Sequence, residues 1–136
     1  MLAVDASIAL KLVLREPDSL AAQSVWQSWT SSGEMVFAPE LFWAETLSVV
    51  RRKVHQGFHS EADGEESYGV LANLAVQIRH PDDLYQVAWQ LANRFNRPTI
   101  YDSCYLALAE IIGCEFWTAD RRLANAVRSL PWVHLL

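Results

Sequence analysis

The sequence predicts an α/β domain whose central sheet is mostly parallel and is covered by helices on both faces. Short apolar segments bounded by turn residues alternate along the chain with longer segments that carry helical spacing. Strands that alternate with helices pair in parallel, because each connection crosses the sheet through a helix. With 136 residues, 51% of them hydrophobic, the chain can bury one core, so residues 1–136 are expected to form a single domain.

The first half of the chain is expected to form a strand, two helices, a second strand and a long helix. Glu16-Pro17 ends the first helix, because proline has no backbone N–H for the helical ladder. The turn Ser31-Ser-Gly33 separates the second helix from the second strand, and Pro39 opens the long helix. The expected elements are a strand over residues 2–5, helices over 6–14 and 18–29, a strand over 35–37 and a helix over 40–55.

The second half continues the alternation of helices and strands. The acidic run within residues 59–69 predicts a solvated helix start and no chemistry. Pro81-Asp-Asp83 caps a further helix, and Gly113 ends the one after it. The expected elements are a helix leading out of residues 59–69, a strand near 76–79, helices over 84–95 and 102–113, a strand over 115–118, a helix over 121–128 and a strand over 132–135.

The composition indicates a soluble, cytoplasmic protein. The apolar runs are short and interrupted by charge, so neither a transmembrane helix nor a signal peptide is expected. Cys104 and Cys114 are expected at the two ends of one helix, about 15 Å apart, which is too far for a disulfide. The formal net charge of −5 repels a polyanion at long range, so a nucleic-acid function would need a local basic patch or a metal ion.

Three acidic side chains are expected at one edge of the sheet. Asp5 and Asp120 follow predicted strands, and open parallel sheets bind ligands beyond the carboxyl ends of their strands. Asp102 begins a helix that can point at the same crevice. That helix carries an apolar stripe formed by Tyr105, Leu106 and Ala109. Each acid also has a structural explanation as a helix cap or first-turn acid, which is the commoner role at such positions.

Glu45 is different, because it lies in the middle of the long third helix, where a carboxylate cannot act as a cap. It is expected to share one side of that helix with Leu41, Ser48, Val49 and Arg52. A carboxylate buried there without a partner costs free energy. Its partner is expected to be Arg52, a Lys or Arg from elsewhere, or a metal ion shared with the other three acids.

Four carboxylates without histidine or cysteine match the oxygen ligands that Mg²⁺ or Mn²⁺ prefers. Such a site suits phosphodiester hydrolysis, in which the metal ion polarises the phosphate and activates water. Ser7 and Thr118 each stand two residues from an acid and can orient the carboxylates or a water molecule. An equally good interpretation makes them ordinary helix-start and strand residues.

Four segments, taken in order, resemble the PIN-domain nucleases, and most closely the toxin ribonucleases of the VapC type. They are Val4-Asp-Ala-Ser7, Pro39-Glu-Leu-Phe-Trp-Ala-Glu45, Tyr101-Asp-Ser-Cys-Tyr-Leu-Ala-Leu-Ala109 and Trp117-Thr-Ala-Asp-Arg-Arg-Leu123. Each segment holds one of the four acids, and the set spans the chain at the family's typical length. Leu123 stands where an aromatic residue is frequent, and residues 56–80 carry no motif of the family.

The resemblance implies a three-layer α/β/α PIN-like domain that acts as an Mg²⁺- or Mn²⁺-dependent endoribonuclease. It also implies a homodimer, and a cognate antitoxin protein that lies across the acidic groove and inhibits the toxin. The catalytic and metal-binding residues that it implies are Asp5, Glu45, Asp102 and Asp120. Ser7 and Thr118 would be supporting hydroxyls.

Basic and aromatic residues near the acids are candidates for contacts to RNA. The candidate phosphate contacts are Arg121 with Arg122, and Lys11 with Arg15, the latter two expected one turn apart on the first helix. A solvated basic helix face explains these four residues as well. Phe42 and Trp43 flank Glu45 and can stack on a base, although aromatic residues at helical spacing are more often core.

Two other functions are compatible with the acid pattern. A non-catalytic PIN-like domain that only binds a partner would keep the same helix caps, but the complete acid set argues against it. A phosphohydrolase or phosphotransferase with a strand-end Asp nucleophile would also place acids at this edge. Phosphotransferases of the haloacid dehalogenase type carry Asp-x-Asp after the first strand, whereas this chain has Asp5-Ala-Ser7, and such an enzyme does not explain Glu45.

Overall fold

The computed structural model describes residues 1–136 and contains five strands and seven helices. The strands are β1 (Leu2–Val4), β2 (Val36–Ala38), β3 (Val76–Ile78), β4 (Glu115–Thr118) and β5 (Val133–Leu135). The helices are α1 (Ala6–Val13), α2 (Ser19–Ser31), α3 (Leu41–His55), α4 (Glu61–Ala72), α5 (Leu84–Arg94), α6 (Tyr101–Ile112) and α7 (Arg121–Ala126). Every element expected from the sequence is present, with ends that differ by a few residues.

The strands form one sheet in the order β3-β2-β1-β4-β5, and every pair of neighbours is parallel. The central strand is β1, in which Ala3 pairs with Phe37 of β2 on one side and with Phe116 of β4 on the other. All residues of β1 and β2 are buried, as parallel strands covered on both faces require. The predicted mostly parallel sheet is confirmed and is wholly parallel.

Six of the seven helices form two groups that cover the two faces of the sheet, and α7 contacts β4 and β5. One group contains α1, which contacts α2, α3 and α4, and the other contains α5 packed along α6. Right-handed crossovers explain the division, because the chain moves from β1 to β3 through α1–α4 and returns to β4 through α5 and α6. The predicted three-layer α/β/α architecture is therefore confirmed.

The most buried helix is α6. Every residue from Ser103 to Ala109 is buried, and the helix packs against β1 and β4 as well as α5. The apolar stripe predicted at residues 105, 106 and 109 is thus confirmed within a helix that is covered on all sides. Gly113 ends α6 in the left-handed conformation, with φ 73°. Asp102, in the first turn, is therefore carried by a rigid element.

The first helix is shorter than predicted. It ends at Val13, and Leu14 has an extended backbone with φ −96° and ψ 141°. Pro17 also disfavours a helical backbone at the residue before it. The prediction that Arg15 lies one turn from Lys11 on the same helix is therefore wrong.

Both cysteines are free, as their expected separation predicted. Cys104 is buried in α6 and Cys114 is half-buried just after it, and this burial raises the pKa of both thiols. None of the helices combines the length and the apolar character that a bilayer crossing requires.

Candidate active site

The chain changes direction within the sheet between β1 and β4. It proceeds from β1 to β2 and β3 on one side, and then returns to place β4 and β5 on the other. At such a switch point the loops after the two strands diverge and leave a crevice at the carboxyl ends. Asp5 directly follows β1, and Asp120 lies two residues beyond β4. Both acids therefore lie at the edge where the sequence predicted them.

Asp5 is buried, with 6% of its surface exposed, and no cationic side chain pairs with it. Its Oδ1 accepts hydrogen bonds from the N–H groups of Ser7 at 3.0 Å and Ile8 at 3.4 Å, so it caps α1. The hydroxyls of Ser7 and Thr118 also donate to the carboxylate. Burial raises the pKa of Asp5 to about 6, although these hydrogen bonds act to lower it.

Ser7 and Thr118 connect the two strand ends, and we call this pair of side chains the hydroxyl bridge. While both donate to Asp5, Ser7 Oγ accepts the N–H of Ala119 at 2.7 Å and Thr118 Oγ1 accepts the N–H of Asp120 at 2.9 Å. The two hydroxyl oxygens are 3.3 Å apart. The bridge fixes the backbone of the β4–α7 loop relative to Asp5, which fits the supporting function predicted for these residues.

Asp120 is exposed and caps α7. Its Oδ1 accepts the N–H groups of Arg122 at 2.8 Å and Leu123 at 3.2 Å. The capping explanation considered for Asp5 and Asp120 is therefore correct for both. A carboxylate offers about four lone-pair positions, so capping leaves Asp120 able to bind a further ligand.

Glu45 is half-buried in α3 and takes part in no ion pair. Its partner is the hydroxyl of Tyr105 on α6, which donates a hydrogen bond to Oε2. Burial raises the pKa of Glu45, the Tyr105 bond lowers it, and the nearby charge of Asp102 raises it further. Burial and the carboxylate together raise the pKa of Tyr105 far above its ordinary range, so the phenol remains a donor. Only cationic partners were predicted for Glu45 from the sequence, and the phenol of Tyr105 was not among them.

Asp102 lies in the first turn of α6 but does not cap it. The N-cap residue is Ile100, which has no side-chain cap hydrogen bond. Asp102 Oδ2 instead accepts a hydrogen bond from Arg97 Nη2 at 3.0 Å. Asn96, with φ 49°, turns the chain between α5 and α6 ahead of Arg97. This ion pair, which was not predicted from the sequence, fixes the carboxylate in the first turn of the helix.

All four acids line one cleft of about 680 Å³. Its walls come from α1, α3, α6 and the loop before α7. The five residues predicted to share one side of α3 all face this cleft: Leu41, Glu45, Ser48, Val49 and Arg52. The volume is within the range of ligand-binding clefts. The acids predicted to converge therefore do share a cleft, and their catalytic function stays a prediction.

The basic residues proposed as phosphate contacts lie outside the lining of the cleft. Lys11 pairs with Glu16 at 2.8 Å, and Arg15 lines a separate pocket between α1 and α4. Arg121 and Arg122 are exposed in the first turn of α7, beside Asp120. Only the α7 pair is thus placed near the acids.

The two aromatic residues near Glu45 follow the alternative given for them, that aromatic residues at helical spacing are more often core. Phe42 is fully buried, and the half-buried Trp43 packs edge-on against it, with ring centroids 4.8 Å apart. Tyr101 is 60% exposed and lines the cleft beside Asp102. No separate function was predicted for Tyr101 from the sequence.

The chemistry of the acids suits a divalent cation. They offer only carboxylate oxygens, and Asp5 and Glu45 carry charges that no cationic side chain compensates. No three acidic, histidine or cysteine side chains are close enough together to hold one ion as they stand. The carboxylates are turned toward the hydroxyl bridge, Tyr105 and Arg97. A shared ion would therefore have to draw them together.

The fold and its acidic cleft place the protein in a known class. A sequence model of the PIN domain matches residues 2–128. This match covers almost the whole chain, so the chain belongs to the PIN-domain family. The resemblance of the four acidic segments predicted this membership.

Within the family, the chain is similar to proteins named VapC ribonucleases. Ribonuclease VapC9 of Mycobacterium tuberculosis is 31% identical over 125 residues, which cover 92% of this chain and 90% of the relative. Ribonuclease VapC12 of the same organism is 31% identical over 126 residues, with coverage of 93% and 92%. The crystal structure of VapC20 of M. tuberculosis, a Sarcin-Ricin loop cleaving toxin, matches with a TM-score of 0.68 at 16% identity, covering 93% of this chain and 95% of the other. The structural match shows the shared fold.

Replacing Tyr105 by Phe should impair the site without removing any acid. Loss of the phenol removes the hydrogen bond that lowers the pKa of Glu45, so Glu45 should hold a proton to higher pH. If Glu45 binds a catalytic metal ion, cleavage of an RNA substrate should fall by about 10- to 100-fold, the usual effect of losing a group that orients a metal ligand. The acidic limb of the pH–rate profile should move to higher pH. Tyr85→Phe on the exposed face of α5 is the matched control, and identical profiles for the two variants would refute this function of Tyr105.

Proposed function

We propose that the protein is a VapC-type endoribonuclease that hydrolyses RNA phosphodiester bonds with the help of Mg²⁺ or Mn²⁺. The observation that carries the proposal is the single cleft lined by Asp5, Glu45, Asp102 and Asp120 at the switch point of a PIN fold. The relatives named as ribonucleases support RNA as the substrate. The all-carboxylate donor set supports a hard divalent cation.

Three of the four acids each have a neighbouring side chain that controls the position of the carboxylate. The hydroxyl bridge holds Asp5, Tyr105 orients Glu45 and favours its ionised form, and Arg97 fixes Asp102. Together the acids would hold the cation, which supplies a Lewis acid for the phosphodiester and its attacking water. The protein needs no nucleophile of its own, because water attacks the phosphorus.

The proposal is tested with the purified protein, freed of any partner, and end-labelled RNA. Single-stranded and structured RNA should be cut when Mg²⁺ or Mn²⁺ is present and should remain intact in excess EDTA. DNA of the same sequence serves as the substrate control. Cleavage that persists in EDTA would contradict the metal requirement, and intact RNA under all metal conditions would support the non-catalytic, partner-binding alternative.

The biological setting is proposed from the VapC relatives alone. In this setting the protein is the toxin of a type II toxin–antitoxin pair, acts in the cytoplasm as a homodimer, and is inhibited by a cognate antitoxin that covers the acidic cleft. Its expression should slow the growth of a bacterial host. Co-expression of a cognate antitoxin should restore growth, and unchanged growth in both cases would count against the toxin function.

Cleavage should depend on pH through Asp5. The pKa of this carboxyl is raised to about 6 in the folded protein, and only the ionised form binds a cation. As the pH falls below about 6, the metal concentration needed for half-maximal cleavage should rise by about tenfold per pH unit. Metal titrations between pH 5 and pH 8 measure this change, with circular dichroism as the check that the fold persists. A constant requirement over that range would contradict the assignment.

A further inference from the structure

Arg52 is the only cationic side chain that lines the acidic cleft. It is exposed, and none of the ion pairs in the structure includes it. It stands two helical turns after Glu45 on the same side of α3, about 10 Å along the helix axis. None of the four carboxylates of the cleft pairs with the guanidinium of Arg52. This guanidinium can therefore contact an anion that enters the cleft.

Tyr101 lines the same cleft from a different helix. It is the first residue of α6, directly precedes Asp102 and is 60% exposed. An exposed aromatic ring beside a nucleic-acid cleft can stack on a base, provided that the base is unpaired and its face is free. The cleft thus offers one group for a phosphate and one for a base.

We propose that Arg52 and Tyr101 bind a nucleotide of unpaired RNA next to the scissile phosphate. Tyr101 stacks on the base, and Arg52 contacts a phosphate that neighbours the one held at the acids. The proposal rests on the proposed function, because it takes RNA as the substrate. The net charge of −5 repels RNA, so the protein needs a local cation to hold this polyanion near its carboxylates, and Arg52 supplies one.

The chain offers matched controls for both residues. Arg94 on α5 is exposed and does not line the cleft. Tyr85 on α5 is exposed to a similar degree, 54%, and lies outside the cleft. Arg94→Gln and Tyr85→Ala therefore repeat the same chemical changes away from the proposed subsite.

The test is fluorescence anisotropy with a labelled single-stranded RNA and its duplex, in Mg²⁺, with all variants made in an Asp102→Asn background that slows cleavage. Tyr101→Ala should weaken single-strand binding by about 5- to 100-fold and reduce the preference over duplex. Arg52→Gln should weaken binding about tenfold and lower the slope of log Kd against log salt by about 0.7. With Asp102 intact, Arg52→Gln should raise KM and leave kcat nearly unchanged.

Each outcome decides between the proposals. If the wild type cuts RNA but the Arg52 and Tyr101 variants bind like their controls, the subsite is refuted and the proposed function stands. Equal binding of duplex and single strand by the parent protein refutes stacking by Tyr101. Absence of RNA binding at micromolar protein refutes the subsite, and absence of cleavage by the wild type separately refutes the proposed function.

Discussion

Replacement of Asp102 by Asn should reduce the proposed metal-dependent RNA cleavage by on the order of 10³-fold while leaving the fold intact. The carboxylate lines the cleft, and its charge already raises the pKa of Glu45, so the two acids act on the same small volume. Asn removes the charge, but its Oδ1 can still accept the hydrogen bond from Arg97 Nη2. Cleavage rates at saturating Mg²⁺ and thermal unfolding curves measure the two effects.

The control for this experiment lies on the same helix. Glu110 is exposed near the other end of α6, so Glu110→Gln makes the same change in net charge away from the cleft. Its cleavage rate should remain within about twofold of wild type. If Asp102→Asn cuts as fast as Glu110→Gln, this cleft is not the active site.

Asp5→Asn should make the metal-free protein more stable near neutral pH. The pKa of Asp5 is about 6 in the folded protein, whereas its ordinary value is 3.8. The protonated carboxyl therefore favours folding at low pH. About 3 kcal/mol of this stabilisation is lost as the pH rises from about 4 through 6. Asn carries no charge to be desolvated, but its amide nitrogen cannot accept the hydrogen bond that Thr118 donates to Asp5, which offsets part of the gain. We therefore expect the free energy of unfolding at pH 7.5 in EDTA to rise by about 1–2 kcal/mol, or about 3–7 °C in Tm.

Divalent metal should reverse this order of stability. Bound Mg²⁺ or Mn²⁺ would compensate the buried charge and add about 2–3 kcal/mol to wild type at a metal concentration 100 times the dissociation constant. The Asp5→Asn variant should show little metal response. Thermal unfolding with EDTA and with Mg²⁺, for wild type, Asp5→Asn and Glu110→Gln, gives all the comparisons. An equal metal-induced rise in Tm for wild type and Asp5→Asn would exclude Asp5 from the site.

Those parts of the site that depend on the sheet could be predicted from sequence. Asp5 and Asp120 follow adjacent parallel strands, and parallel strands bring their carboxyl ends to the same edge. Glu45 stood out because no capping argument covers a carboxylate in mid-helix. The helical spacing of α3 then placed it correctly on the side that lines the cleft.

The contacts that the sequence did not reveal are those made between distant elements. Tyr105 fits an apolar stripe, and nothing in its spacing indicates that its hydroxyl meets a residue 60 positions earlier. One signal was available: a buried tyrosine needs a hydrogen-bond partner, which a phenylalanine at the same position does not. The Arg97–Asp102 pair depends on the left-handed turn at Asn96, a backbone feature that spacing arguments do not capture.

Because the hydroxyl bridge joins the end of β1 to the loop after β4, the distance between Asp5 and Asp120 depends on how these two neighbouring strands pair. Residues Leu2–Val4 pair directly with Glu115–Trp117, so this half of the site is set by strand register. Helices α2, α4 and α5 contribute no residue to the cleft and need only cover the sheet. Substitutions on the outward faces of these three helices should therefore leave the acids in place.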